Sequence, residues 1–208
     1  MSNGNYEVTH KKILESAKRL FLKNGYERAN LREICRGAEI TTGAFYRHFE
    51  DKNALFSELV DPAINGIMKK YRIAERICFD YLSNEDLISM MKFGVDIAMV
   101  FIDYIYDNFD AFKLILMCSD GTKYVNFIDW LVEEEIRANK RMFLLFEEHN
   151  IVYKKISEKE MHMLVHSYFS CMFETIFHDY EREEAIECIR TITKFYSAGW
   201  KELLEISM

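Results

Sequence analysis

Apolar residues recur at three- and four-residue spacing along most of the chain, interrupted by short polar turns. This spacing is typical of amphipathic helices, since it brings apolar side chains to one face. It predicts a first helix that starts near Val8, with Thr9 as its cap, and ends before Gly25. Asn30 then opens a second helix, and Glu33 three residues later predicts a capping box.

The third helical segment, Thr42–Phe49, is about two turns long and has two different faces. Phe45 and Phe49 form an apolar edge at i,i+4 spacing. The opposite face carries two very small residues and one long cation, namely Gly43, Ala44 and Arg47. The major groove of DNA admits one α-helix and offers guanine acceptors to a bidentate arginine. The pattern therefore predicts a helix-turn-helix DNA-binding head, although a three-helix core without DNA contact fits the same spacing.

The rest of the chain continues the helical pattern, and no strand signal interrupts it. Asp51 can cap the next helix. Because Asp61-Pro62 supplies another cap with proline at the first helical position, the run 51–79 is either two helices or one kinked helix. Five further helices are predicted, over residues 84–107, 110–118, 122–149, 157–179 and 181–206. The expected fold is all-α, with a three-helix head, a C-terminal helical bundle and about nine helices in total.

Charge is distributed unevenly along the chain. The formal net charge is −7, yet residues 1–52 carry ten Lys/Arg and seven Asp/Glu, so the acidic excess lies in the remainder. A mildly basic head on an acidic body is typical of a protein whose head alone approaches phosphates.

Several classes of protein are disfavoured by the sequence. No run of eighteen uncharged apolar residues exists and the N-terminus lacks a signal-peptide core, so we expect a cytoplasmic protein without a membrane span. Five scattered cysteines without a C-x-x-C pair are typical of buried thiols in a reducing compartment.

No cofactor is indicated. His162 and His166 have metal-ligand spacing but lack the glutamate of a zinc protease, so a metal site is only an alternative. A helical enzyme and a non-DNA interaction module are the rival classes.

Many head residues resemble, in order and spacing, the TetR family of bacterial transcriptional regulators. The similarity runs from about Ile13 to Phe56. Its most specific residues are Gly25-Tyr26, Leu31-Arg32-Glu33-Ile34, Ile40-Thr41, Gly43, Phe45-Tyr46, His48-Phe49 and Lys52. The chain departs from the family at Glu39, where glycine is usual, and at Glu50, where proline or another small turn residue is common. A glutamate at position 39 is strained if its φ is positive.

The head offers a set of candidate DNA contacts. Thr41 and Thr42 lie at a helix N-terminus, where a phosphate is favoured, and the resemblance implies that Tyr46 contacts the DNA backbone. Arg47 is the candidate for reading bases. Lys52 is poorly placed for the dipole of its own helix, so we expect a phosphate partner. The full predicted set is Arg28, Arg32, Thr41, Thr42, Gly43, Ala44, Tyr46, Arg47, His48 and Lys52. Surface charge explains the first two arginines equally well, and a packed or solvated ring explains the histidine.

The last two predicted helices suggest a dimer. The 157–179 helix is apolar nearly all round, so both of its sides must be buried, and no later chain covers the apolar face of the last helix. A second subunit is therefore expected, with a monomeric core as the alternative. This looks like the dimeric four-helix interface of the TetR family, and a two-fold homodimer implies a pseudo-palindromic operator in double-stranded DNA. The predicted interface residues are Phe169, Met172, Phe173, Ile176, Ile192 and Phe195.

The resemblance also implies a cavity for a small-molecule effector, which methionines and aromatic residues of the middle helices can line. The candidates are Met99, Phe101, Phe112, Phe127, Trp130 and Tyr168, although they fit an ordinary core as well. A polar stripe of Lys92, Asp96, Asp103 and Asp107 fits a solvated face, with an acidic pocket for a cationic ligand as the alternative. We predict a DNA-binding domain over residues 1–52 and a ligand-binding and dimerisation domain over 53–208. The expected function is that of a TetR-like repressor, not an enzyme, that an effector releases from its operator.

Overall fold

The computed structural model describes residues 3–84 and 86–205, which form helices and connecting turns without any strand. Within them lie α1 (Asn3–Arg28), α2 (Leu31–Gly37), α3 (Thr42–Phe45), α4 (Lys52–Ser83), α5 (Leu87–Asp107), α6 (Phe109–Met117), α7 (Phe127–Glu148), α8 (Glu158–Phe177) and α9 (Arg182–Leu204). The predicted all-α fold is confirmed. No helix of the described chain is long and apolar enough to cross a membrane.

The chain divides into two compact units. The first extends to Asn65 and includes Asn108–Asn126, whereas the second comprises Gly66–Asp107 and the chain from Phe127 onward. α4 therefore contributes its first half to one unit and its second half to the other. The predicted division into functional domains after residue 52 stays a prediction.

α1 begins five residues earlier than predicted, at Asn3. Thr9 consequently lies inside the helix, and its hydroxyl donates to the carbonyl of Asn5 at 2.8 Å instead of capping the helix. Packing explains the early start, because the ring of Tyr6 stacks on the ring of His48, which lies just after α3. Gly25 adopts φ 75° and ψ 164°, so the helical path breaks at the predicted glycine.

The first unit is built around apolar side chains of its N-terminal helices. Its most buried members are Ile13, Ala17, Phe21, Ile34, Phe45, Leu55 and Phe56. Ser16 is also buried, and its hydroxyl donates to the carbonyl of Ile34 at 2.9 Å, which joins α1 to α2. α6 packs against α1 in the same unit. These contacts hold the short α3 on a rigid base.

α4 is one uninterrupted helix. Asp51 caps it as predicted, since its Oδ1 accepts from the backbone N–H of Ala54 at 2.7 Å. Pro62 lies inside the helix, so of the two alternatives for residues 51–79 the structure has one helix rather than two. A proline in mid-helix removes one backbone hydrogen bond, but burial of the neighbouring side chains holds the helix together.

The second unit is a helical bundle in which α5 packs on α9 and α8 packs on both α7 and α9. The predicted ends of α5 to α9 agree with the observed ends to within three residues, with one exception. The last helix was predicted to end at residue 206, which lies outside the described residues. The exception is α7, which was predicted from Thr122 and begins at Phe127. Thr122 closes a turn instead, because its hydroxyl donates to Ser119 at 2.7 Å and accepts from the N–H of Tyr124 at 3.1 Å.

Candidate nucleic-acid interface and effector cavity

The cap of α2 and the turn after it set the position of α3. Asn30 caps α2 as predicted, accepting from the backbone N–H of Arg32 at 2.8 Å. Because this bond goes to the second helical residue and not to Glu33, the reciprocal capping box predicted with Glu33 is not formed. After α2, the N–H of Ile40 donates to the carbonyl of Cys35 at 3.0 Å and closes the turn.

Glu39 has the strained conformation that its position implied. Its φ of 58° lies in the left-handed region that favours glycine. Its carboxylate accepts from Lys12 at 2.7 Å. Both side chains are exposed, so this ion pair contributes little against the strain.

α3 is shorter than predicted, because α-helical geometry covers only Thr42–Phe45. The chain continues through turns, in which the N–H of Arg47 bonds the carbonyl of Ala44 at 3.2 Å. Thr41 caps α3, its hydroxyl accepting from the N–H of Ala44 at 3.1 Å. Phe45 and Phe49 are buried and stack at 5.6 Å between ring centroids. The predicted anchoring edge is therefore present, although the helix is half as long.

The face opposite these anchors is open. Thr41, Thr42, Gly43, Tyr46 and Arg47 are all exposed, and Ala44 is half-buried. A Cβ added to Gly43 would meet no heavy atom nearer than 4.0 Å, so a surface can approach the backbone there. Exposure is what base and phosphate contacts require, and the contacts themselves stay predictions.

His48 packs against the aromatic rings of α1. Its ring stacks on Tyr6 at 4.1 Å and lies 5.5 Å from the ring of His10. Burial lowers the pKa of His48, and the nearby His10 and Arg47 lower it further. His10 also bonds Glu58 of α4 at 2.5 Å. Of the two alternatives for His48, the packed ring is the one observed, and a neutral half-buried imidazole is a poor phosphate ligand.

Sequence reasoning missed the partners in this aromatic cluster. The signal was the i,i+4 spacing of Tyr6 and His10, which extends the helical pattern toward the N-terminus. A helix that starts at Val8 excludes Tyr6, so the predicted helix did not bring Tyr6 and His10 to one face.

Lys52 binds within the chain rather than lying free for a phosphate. Its ammonium donates to the carbonyls of Tyr26 at 2.8 Å, Glu27 at 3.3 Å and Ala29 at 3.2 Å. It also lies 4.2 Å above the ring centroid of Tyr26. These bonds give Lys52 a structural role within the head, and the predicted phosphate contact stays a prediction. The dipole of α4 disfavours a lysine at this position, but the carbonyls at the end of α1 supply acceptors for its ammonium.

Three N–H donors engaged at once require the protonated amine, because a neutral amine carries only two. Burial lowers the pKa of Lys52 and the charge of Glu27 opposes that effect. Arg28 and Arg32 are exposed at the end of α1 and the start of α2. Their exposure fits both DNA contact and surface charge.

The second unit contains a cavity of about 270 Å³. Of the six predicted lining residues, Phe101 and Tyr168 line it. The other four do not, which corrects the prediction for them. Phe112 belongs to the core of the first unit, Phe127 is buried beside Trp130 and Phe173, Met99 is half-buried, and Trp130 is one-third exposed. The error arose because composition cannot tell which face of a helix borders a void.

The lining residues that the sequence did not reveal are mostly on α4 and α7. They include Ile67, Met68, Tyr71, Glu75, Glu135 and Asn139. The predicted polar stripe is not part of this cavity. Two residues of the stripe, Asp107 and Asp103, have carboxylate oxygens 2.5 and 3.9 Å from the guanidinium nitrogens of Arg182, as expected of a solvated face.

The six predicted interface residues are divided between interior and surface. Met172, Phe173 and Ile176 are buried within the second unit, so they cannot meet a partner, and the prediction is wrong for them. Phe169 and Ile192 are half-buried, whereas the side chain of Phe195 is 70% exposed. The 157–179 helix was expected to be buried on both sides, and packing inside the unit already covers most of it. No group of three or more metal-ligating side chains occurs in the described part of the chain, including the region of His162 and His166.

The chain combines a helix-turn-helix head with an all-helical body. Residues 13–59 match the family model described as bacterial regulatory proteins, tetR family. The chain is 47% identical over 53 residues to the HTH-type transcriptional regulator AcrR of Shigella flexneri, a match that covers 26% of this chain and 25% of that protein. The chain thus spans about a quarter of the length of this curated relative.

Solved structures match over nearly the full length. The TetR family transcriptional regulator PfmR from Thermus thermophilus aligns with a TM-score of 0.61 at 17% identity, covering 88% of this chain and 92% of that one. NalD of Pseudomonas aeruginosa, the secondary repressor of the MexAB-OprM multidrug efflux pump, aligns with a TM-score of 0.55 at 18% identity, covering 96% and 97%. At such identities these neighbours establish the fold alone. Residues 13–59 thus resemble the DNA-binding segment of the TetR family of bacterial regulatory proteins, and the fold of the chain is similar to that of solved regulators of this family.

Proposed function

We propose that this chain is a cytoplasmic repressor that binds a pseudo-palindromic DNA operator as a homodimer and leaves it when a small molecule binds. The observation that carries the proposal is the exposed face of α3, held outward by two buried phenylalanines. A row of small, hydroxyl and cationic groups without a core function is suited to the major groove.

The exposed head residues have different roles in this proposal. Arg47 reads a guanine, while Thr41, Thr42 and Tyr46 hold phosphates. Gly43 and Ala44 allow close approach, and Arg28 and Arg32 add positive charge at the edge. His48 and Lys52 are structural supports of the head and leave the proposed contact set. Residues 1–52 act as the DNA-binding domain, and 53–208 bind the effector and form the dimer.

Dimerisation uses the exposed apolar side chains of α8 and α9. Phe195 and Met163 are 70% and 71% exposed, which is unusual for large apolar residues. A two-fold axis through this face presents two heads to successive major grooves.

Effector release is supported by the second half of α4, which lines the 270 Å³ cavity through Ile67, Met68 and Tyr71. The first half of the same helix follows α3 directly. An effector that shifts α4 therefore changes the spacing of the two heads. By linkage, effector and operator weaken each other's binding by the same factor.

The proposal is tested by binding selection on random duplex DNA with the full chain. A repressor of this kind enriches a palindromic sequence, with half-sites about one helical turn apart. An interaction module or an enzyme enriches none, and that result would sink the proposal. Sedimentation at micromolar concentration, with Phe195→Glu as the test variant and Val152→Glu at another exposed apolar site as the control, tests the dimer separately.

A further inference from the structure

The cavity of the second unit adjoins a second cavity, and the two share part of their walls. A second cavity of about 280 Å³ shares Gly94, Glu135, Asn139, Met142 and Tyr168 with the first. Glu135 therefore lies where the two cavities adjoin. Most of the remaining wall of the first cavity is apolar or aromatic.

The charges in the wall are of one sign. Of the described residues that line the first cavity, two are carboxylates, Glu75 and Glu135, and none is basic. Glu75 is paired with Arg141, which lies outside the wall. The second cavity adds one cation, Lys201. An anionic ligand in the first cavity would therefore meet Glu135 with no cation in the wall of that cavity to compensate the two negative charges.

Glu135 has hydrogen-bond partners but no ion pair among the described residues. Its Oε2 accepts from the hydroxyl of Tyr71 at 2.7 Å, and its Oε1 accepts from the amide of Asn139 at 3.1 Å. Burial raises the pKa of Glu135, the hydrogen bonds lower it, and the nearby Glu75 raises it. The two donors orient the carboxylate without neutralising it.

We propose that the effector is a lipophilic amine whose ammonium group pairs with Glu135 while its apolar part fills the adjoining cavity. A carboxylate in apolar surroundings is costly unless a cation compensates it, and an entering ammonium supplies that cation. A neutral ligand leaves the carboxylate uncompensated, and a carboxylate ligand adds a second negative charge. This inference rests on the proposed function, because it names the ligand of the same cavity.

The aromatic part of the wall favours an aryl amine over a purely aliphatic one. Aromatic side chains on three helices surround the space, namely Tyr71, Phe79, Phe101, Tyr168, Phe169 and Phe173. Aromatic rings attract both cations and other rings. The volume of about 270 Å³ sets the size at a small organic molecule.

The test uses three probes of one shape: 4-phenylbutylamine, 4-phenylbutanol and 4-phenylbutyrate. Each is titrated into the full-length wild-type protein by calorimetry at pH 7.5, without DNA. We expect the amine to bind about tenfold more tightly than the alcohol, which corresponds to about 1.4 kcal/mol, and the carboxylate to bind most weakly. Equal affinities of amine and alcohol, preference for the carboxylate, or no binding of any probe at millimolar concentration would overturn the inference.

A variant assigns the preference to one carboxylate. Glu135→Gln should bring the amine to the affinity of the alcohol, while the affinity for the alcohol itself stays within about twofold. Glu133→Gln is the matched control, because Glu133 lies on the same helix but is exposed. Retention of the amine preference in Glu135→Gln contradicts the proposal. If that variant fails to fold, the wild-type probe series still decides.

The two proposals fail in distinguishable ways. Operator selection requires no effector, and the probe titrations require no DNA. A palindrome without an amine preference refutes the effector class alone, whereas an amine preference without any enriched DNA refutes the repressor.

Discussion

Replacement of Lys52 by methionine tests whether this side chain supports the head or contacts DNA. Methionine keeps most of the length and apolar stem of lysine but donates no hydrogen bond. It would leave the carbonyls of Tyr26, Glu27 and Ala29, which Lys52 bonds at 2.8, 3.3 and 3.2 Å, without their ammonium partner. Ala29 is itself buried, so water cannot easily replace the donor there.

The expected cost follows from the chemistry of these bonds. A hydrogen bond to a charged group contributes about 1.5–3 kcal/mol. Three bonds to one half-buried ammonium do not add, and water can reach part of the group, so we expect a loss of about 2 kcal/mol. With a urea dependence of about 2 kcal/mol/M, the unfolding midpoint falls by roughly 1 M.

Urea denaturation followed by circular dichroism measures the loss, and amide hydrogen exchange assigns it to α1 and α2. Lys23→Met is the control, because Lys23 is exposed on α1 and its replacement should change stability by less than about 0.5 kcal/mol. A phosphate contact predicts the reverse pattern. If Lys52→Met leaves stability unchanged and reduces the salt slope of DNA binding by about 1, the capping interpretation is wrong.

Three further predictions concern recognition, packing and pH. Arg47→Ala should cost about 1–3 kcal/mol of discrimination between operator and mismatched DNA, measured by competition binding, with little change in stability. Gly66→Ala should destabilise the second unit by about 1–2 kcal/mol in urea denaturation, because the new Cβ would overlap the hydroxyl of Tyr104. In the control Gly199→Ala the new Cβ meets nothing within 4 Å, so this variant should stabilise α9 by about 0.5–1 kcal/mol. Burial raises the pKa of Glu135 in the folded protein above its usual value of 4.5, so its contribution to stability is present below pH 4.5 and is lost as the pH rises. The free energy of unfolding of Glu135→Gln should therefore exceed that of the wild type by an amount that grows from pH 4.5 upward. A difference that does not change with pH contradicts this prediction.

The sequence was most informative where local chemistry decides the structure. Caps depend on one side chain and the next few backbone N–H groups, so Asn30 and Asp51 were identified correctly. Gly25 was identified because few other residues adopt its positive φ. The start of α1 was missed because it depends on a contact across the fold, between Tyr6 and His48.

The sites were harder to predict, since they depend on which faces meet. Periodicity places Phe127 on an apolar face but cannot say whether that face borders a cavity or a packed core. It also cannot reveal that Lys52 and the end of α1 approach each other, because they lie more than twenty residues apart. Glu135 was overlooked because it lies among other acidic residues of α7, where a solvated face is the usual explanation.

The continuity of α4 changes how effector and DNA binding are joined in our proposal. A helix boundary at Pro62 would act as a hinge and absorb a displacement made at the cavity. Pro62 instead lies within one helix, although an interior proline costs about 3 kcal/mol. Val60 and Ala63 on either side of it are buried, so packing offsets that cost. In our proposal, an unbroken helix would carry a displacement at Tyr71 along its length toward Lys52, and the bonds of Lys52 to the end of α1 would then pass it to the head.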